Sequence, residues 1–145
     1  MPTLIVIAGP TASGKTDLSL QLAKAYNAEI LSADARQFYR KMDIGTAKPS
    51  PQQLAEVNHH FIDFIDPSAE YNAGQYEKEA ISFLNQYFEN NEICILTGGS
   101  GMYINAVTEG FDELPSTPIT IREKFNVLYE NKGISHLQEL LKSAD

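Results

Sequence analysis

Tryptophan is missing from these 145 residues, and cysteine occurs once, at position 94. A lone cysteine excludes a disulfide framework and makes a reduced, cytoplasmic setting the default expectation. Its neighbours Ile93 and Ile95 mark Cys94 as a small core residue rather than a nucleophile. Long apolar runs are also missing. The run Leu4–Ala8 is far short of the roughly 20 residues that cross a bilayer, so no membrane partner is expected. Positive charge is scarce: 11 Lys and Arg stand against 19 Asp and Glu, a net charge of −8. That balance argues against broad, nonspecific binding to polyanions. Internal repeats and low-complexity tracts do not occur, and the length suits one sizeable core.

What is present alternates between two periods. "TLIVIAG", "EILSAD", "HHFIDFI" and "EICILTGG" are short, β-branched, apolar runs that read as strands. Between them, "TDLSLQLAKAY" places Leu18, Leu22 and Tyr26 four apart, the stripe of an amphipathic helix. A second helix is predicted over about Ala73–Glu89, with Tyr76, Ala80, Leu84 and Phe88 on one face, Ile81 and Tyr87 beside them, and Asn72 as N-cap. "GTAKPSP" reads as a loop. The fold class implied is α/β: a three-layer, P-loop NTPase-like fold with a mostly parallel sheet. Composition changes near "ELPSTP", where Leu114–Pro118 read as a domain junction. Residues 1–113 form the α/β core and 114–145 a helical segment, with "ITIREKFNVLYE" and "SHLQELLKS" as helices separated at Lys132-Gly133.

The chemistry is concentrated in the loops. Gly9, Pro10, Thr11, Ala12, Ser13, Gly14, Lys15 and Thr16 follow a predicted strand, precede a predicted helix and match the phosphate-loop spacing. Successive N–H groups of such a turn form an anion nest, and the helix N-terminus adds its positive dipole end. Lys15 supplies a cation for terminal phosphates, and the Thr16 hydroxyl can ligate Mg²⁺. The strand "ICIL" ends in Thr97–Gly101 without the metal-holding carboxylate usual in nucleotide hydrolases. Asp34, at the end of "EILSA", is the acidic residue that a doubly wound sheet brings toward the loop. It is either chemical or a helix cap. Around it Arg36, Arg40, Lys41 and Lys48 outnumber Asp34 and Asp43, a local basic stretch on an acidic chain. His59 and His60 form a pair without a spaced third ligand, a weak metal pattern.

Five segments in this order and spacing, "GPTASGKT", "SADARQFYR", "MDIGTAKPS", "HHFID" and "LTGGSGMYINA", resemble the tRNA dimethylallyltransferase (isopentenyltransferase) family. The resemblance implies a loop adapted to the diphosphate of dimethylallyl diphosphate, although such loops are often described as ATP-binding. It implies transfer of the dimethylallyl group to the exocyclic amine of the adenosine 3′-adjacent to the anticodon. By the same resemblance Lys15 and Thr16, with Mg²⁺, stabilise the departing pyrophosphate, Thr11 contacts the bridging oxygen, and Asp34 is the general base. Asp34, Ala35, Arg36, Gln37, Ser100 and Arg122 fall at positions that meet the tRNA anticodon stem-loop or lie near substrate. Tyr39 and Tyr103 are candidates for base stacking or for core packing. Ala35 stands where the family commonly has Ser, and Ser100 where Thr is usual.

Family members are about twice as long, so the resemblance leads to the expectation of a truncated chain that stops inside a helical tRNA-binding insertion. A cytoplasmic monomer is expected. Two other readings carry different predictions. A small P-loop kinase prefers ATP to an allylic diphosphate, and a diphosphate-binding chain without activity is indifferent to loss of Asp34.

Overall fold

Four short strands, Thr3–Ala8 (β1), Glu29–Ser32 (β2), His59–His60 (β3) and Ile93–Gly98 (β4), form one sheet in the order β1-β4-β2-β3. Every pairing is parallel, with Ala8 opposite Gly98 and Ser32 opposite Thr97. The structure, a computed structural model, describes residues 1–111 and 117–144. The chain divides into two units, Met1–Phe111 and Asp112–Asp145. Of the junction read at Leu114–Pro118, residues 114–116 lie outside the described residues.

Strand alternation builds two cores. Ile30 on β2 and Ile95 on β4 join Ile7, Leu20, Ala23 and Ala28 under the helix Lys15–Tyr26 (α1). Their sequence neighbours Leu31, Cys94 and Leu96 point to the opposite face, against Ala73–Tyr87 (α3) and Gly101–Thr108 (α4). Helices on both faces of a parallel sheet explain why β2 and β4 read as continuous apolar runs. Cys94 is fully buried, and burial pushes its thiol up to about 12, as a core residue and not a nucleophile.

The helix α3 follows its sequence signal closely. The Asn72 side chain accepts from Gln75 N at 2.9 Å, and Gln75 Oε1 accepts from Asn72 N at 3.0 Å, a complete capping box. Tyr76 is fully buried, and its hydroxyl donates to the Ser32 carbonyl at 2.9 Å, which ties α3 to the end of β2. The stripe on α1 differs from the one its apolar residues mark out. Ser19, Leu20 and Ala23 are buried, while Leu18 and Tyr26 face outward. Small residues at 19 and 23 allow the helix to lie close to the sheet, and the loop before it sets which face turns inward.

Two further differences concern "GTAKPSPQQLAEVNHHFIDFI". Pro51–Glu56 is a helix (α2), capped by Ser50 and Gln53 with proline at its first position. It buries no residue, so apolar periodicity gave no sign of it. The strand read over 59–65 forms a ladder only at His59–His60, because Phe61 (φ 61°) and Asp63 (φ 52°) take left-handed backbone that no ladder continues, and Ile65 makes a single isolated parallel bridge to Tyr39. Phe61 turns into an aromatic cluster with Phe64 and Tyr76.

The second unit is the helix Ile119–Ala144 (α5), interrupted at Gly133, where φ 71° and ψ 179° are available only to glycine. The two helices expected on either side of Lys132-Gly133 are therefore present. Among the described residues no helix is long and apolar enough to cross a membrane.

Candidate functional site

The loop between β1 and α1 begins the site. Gly14 caps α1 with φ 83° and ψ 8°, and Ala12 also lies in the left-handed region at φ 64°. A non-glycine residue held there stores on the order of 1 kcal/mol, and alternating backbone handedness is what bends successive N–H groups into an anion nest. Lys15 folds back over this loop, with Nζ donating to the Pro10 carbonyl at 2.5 Å. Thr16 lies in the first turn of α1, half-buried, and its carbonyl accepts from Ser19 Oγ at 2.9 Å.

The carboxyl ends of β1, β4 and β2 meet beside this loop, where an open parallel sheet places its crevice. A cavity of about 340 Å³ occupies the crevice, lined by Thr11–Thr16 and by Asp34, Gln37 and His59 among others. Asp34 Oδ1 accepts from Arg36 N at 3.1 Å, and its carbonyl accepts from Gln37 N at 2.9 Å, so the residue stabilises its own turn. Oδ2 takes no protein hydrogen bond among the described residues and lies beside Gly99. One carboxylate oxygen thus holds the backbone and the other is available to the cavity.

Glycine brings the ends of β2 and β4 together. A β-carbon at position 98 would lie 2.2 Å from the Ala33 carbonyl oxygen, so only glycine lets β4 pass so close to the end of β2. Ser100 follows as N-cap of α4, and its hydroxyl accepts from Ala35 N at 3.1 Å while its own N–H donates to Ala33 O at 3.3 Å. The structure therefore uses Ser100 to pin the backbone on both sides of Asp34. Arg36 is exposed next to the cavity wall, and Ala35 is half-buried. Arg122 is an exposed residue of α5, in the second unit.

Gln37 is an internal brace. Its Oε1 accepts from Ser32 Oγ at 3.0 Å, and its Nε2 donates to the carbonyls of Thr46 and Ala47 at 3.3 and 3.0 Å. Lys48, counted in the basic stretch, is not free: its side chain is only 7% exposed and its ammonium bonds to Tyr39 O, Asp43 and Asp63. Burial works against the charge, but Asp63 and Asp43 outweigh it and raise the Lys48 pKa. Three exposed cations remain, Arg36, Arg40 and Lys41. Tyr103 packs edge-on against Phe38 and Tyr76, which places it in the aromatic core.

Several cavity residues had no role in the sequence reading, Ala47 and Pro49 from "GTAKP" and Ile62 from "HHFID", and His59, read there only as half of a weak metal pair, lines the cavity too. Only the position of those segments relative to the glycine-rich loop could have exposed them. His59 and His60 diverge. His59 donates from Nδ1 to Val57 O at 2.8 Å, whereas His60 Nε2 meets Glu29 Oε2 at 2.6 Å and its ring lies on Phe83. Burial lowers the His59 pKa, so the folded protein resists a proton that the unfolded chain accepts near pH 6.5. Between the folded value and about 6.5 the unfolded chain binds more protons, so stability rises with pH across that window. Glu29 acts in the same direction at lower pH. Burial opposes its ionisation, but hydrogen bonds from Asn58 and His60 hold its pKa below the usual value, and that stability is lost as pH falls through it. Urea midpoints should be higher at about pH 7.5 than at about pH 5, and His59→Gln should narrow the gap. An unchanged gap would assign the dependence to other groups.

These features define a parallel α/β protein whose glycine-rich loop and Asp34 share a crevice at the carboxyl end of the sheet. Comparison with known proteins is consistent with this. The chain matches the IPP transferase family over residues 37–145, and it belongs to that family. It is 49% identical over its whole length to a tRNA dimethylallyltransferase of Flavobacterium psychrophilum, covering 47% of that protein. It is 43% identical to tRNA dimethylallyltransferase 1 of Bacteroides thetaiotaomicron, again over 47% of the relative. The crystal structure of a full-length tRNA isopentenylpyrophosphate transferase from Bacillus halodurans superposes with a TM-score of 0.75 at 35% identity, covering all of this chain and 48% of that one. A eukaryotic dimethylallyltransferase acting on tRNA gives 0.72 at 30% identity, over 83% of this chain and 31% of that one. The chain spans about half the length of the curated relatives it matches.

Proposed function

We propose that this chain carries the diphosphate-binding and proton-accepting half of a tRNA dimethylallyltransferase. The observation that carries the reading is that Thr11–Thr16 of the glycine-rich loop and Asp34 line one cavity. In this reading the loop N–H groups, Lys15 and Thr11 hold the diphosphate of dimethylallyl diphosphate. The allylic carbon–oxygen bond breaks as negative charge grows on the pyrophosphate, which a preorganised, cationic loop stabilises. The adenosine amine forms the new carbon–nitrogen bond, and its proton passes to Asp34 Oδ2. The acceptor base has to leave its stack to reach the crevice, and Arg36, Arg40 and Lys41 meet the RNA backbone beside it.

Among the described residues no group of three His, Cys, Asp or Glu forms a metal cage. The Thr16 hydroxyl at the cavity wall suits Mg²⁺ held jointly with the diphosphate, as is usual for that ion. Bound there, Mg²⁺ supplies charge neutralisation on the leaving group. The lone buried Cys94 fits a cytoplasmic setting.

Equilibrium binding with Mg²⁺ tests the reading. Dimethylallyl diphosphate should bind more tightly than ATP, and Lys15→Ala should weaken it roughly 10- to 100-fold through loss of a charge-assisted contact. A preference for ATP would favour a phosphoryl-transfer enzyme in its place.

A further inference from the structure

Next to the cavity stands a feature that diphosphate binding does not use. Ile44 is 98% exposed and Met42 is 40% exposed, on the loop of residues 41–47. Single exposed apolar residues are ordinary on protein surfaces, but this one is held up by a braced loop. Lys41 (φ 64°) and Ala47 (φ 50°) occupy left-handed backbone, as does Gly45 (φ 77°). Such strain persists only where surrounding contacts impose it. Here Thr46 Oγ1 donates to Met42 O at 2.7 Å, Gln37 Nε2 holds the carbonyls of Thr46 and Ala47, and the buried Lys48 ammonium holds Asp43 and Tyr39 O. The loop cannot collapse to cover Ile44 without breaking this set.

We propose that Ile44, supported by Met42, is an apolar wedge for the single-stranded RNA loop that presents the acceptor base. This rests on the transferase reading and deepens it. Ala47 lines the cavity and lies three residues from Ile44, so their Cα atoms are at most about 11 Å apart. That reach is about three base steps along a strand. The exposed cations Arg36, Arg40 and Lys41 precede the tip in sequence, and Arg40 is fixed by donating from Nε to Asp63 O at 3.0 Å. Asp43, between Met42 and Ile44, has its charge met by Lys48, and an apolar tip that follows a run of exposed cations fits a partner that combines anionic backbone with flat apolar faces. A base drawn into the crevice leaves a gap in its stack, and Ile and Met are among the side chains that fill such gaps between base steps.

An RNA stem-loop with 2-aminopurine next to the acceptor adenosine reports unstacking by a rise in fluorescence. The wild-type chain should bind it with such a rise. Ile44→Ala should bind about tenfold more weakly, equivalent to 1.4 kcal/mol, and give little rise at saturation. Ile44→Leu should retain both. Affinity for inorganic pyrophosphate with Mg²⁺ should be the same in all three, which reports an intact crevice. If Ile44→Ala binds and unstacks the RNA as the wild type does, the tip serves a protein contact and the wedge is overturned alone. If the wild-type chain binds pyrophosphate but no RNA, the transferase reading fails with it.

Discussion

Asp34→Asn should lower dimethylallyl transfer to an RNA stem-loop by about 10²–10⁴-fold, the range that a positioned general base contributes. Binding of dimethylallyl diphosphate should change little. The substitution separates the two tasks of this residue. Asn retains an oxygen that can accept from Arg36 N, so the turn after β2 is kept. It cannot take up the amine proton. Asp34→Ala removes both functions and should add a loss of stability of about 1 kcal/mol, as for other side-chain caps. Single-turnover transfer rates beside urea midpoints distinguish the effects. Equal transfer by wild type and Asp34→Asn would reduce Asp34 to a capping residue.

The glycine-rich loop and Asp34 could be read in the sequence because each depends on a local rule. Gly9 and Gly14 follow from the backbone path of an anion nest. The carboxyl ends of strands in an α/β sheet converge whichever residues lie between them. Asn72 as N-cap of α3 was visible for the same reason, since its side chain meets Gln75 N within one turn. What escaped the sequence depends on distant pairings. Gln37 is a polar residue in a basic stretch until its amide is found on Thr46 and Ala47. Lys48 counts as surface charge until Asp63, fifteen residues further on, is found against it. The inward face of α1 could not be told from Leu18 and Tyr26, because small Ser19 and Ala23 carry little hydrophobic signal yet permit the closest packing. The strand at His59–His60 ended early because Phe61 turned to an aromatic cluster, a preference set by partners on α3.

Gly98→Ala should be the most damaging single methyl in the α/β unit, and Gly99→Ala, one residue on, should be mild. At position 98 a β-carbon would lie 2.2 Å from the Ala33 carbonyl oxygen, 2.5 Å from its carbon and 2.9 Å from its Cα. All three are backbone atoms, so no rotamer change can relieve the overlap. Ala33 cannot easily retreat either, because its N–H donates to Thr97 O at 2.7 Å and its carbonyl accepts from Ser100 N at 3.3 Å. The two strands would have to part by about an ångström, which places the loss at or above the roughly 1–3 kcal/mol of ordinary overpacking. Against a total stability of some 5–15 kcal/mol, the variant should have a clearly lower urea midpoint than the wild type. At position 99 the nearest atoms to a β-carbon are Gly9 O at 3.4 Å and Asp34 Oδ2 at 3.7 Å, which is ordinary contact. Gly99→Ala should therefore keep its urea midpoint while narrowing the space between loop and carboxylate, and so weaken diphosphate binding. The pair tests whether the close crossing of β2 and β4 is what holds Asp34 opposite the loop. Equal stability of the two variants would show that the crossing can relax, and that Asp34 is held by the Ser100–Ala35 bond and its own turn instead.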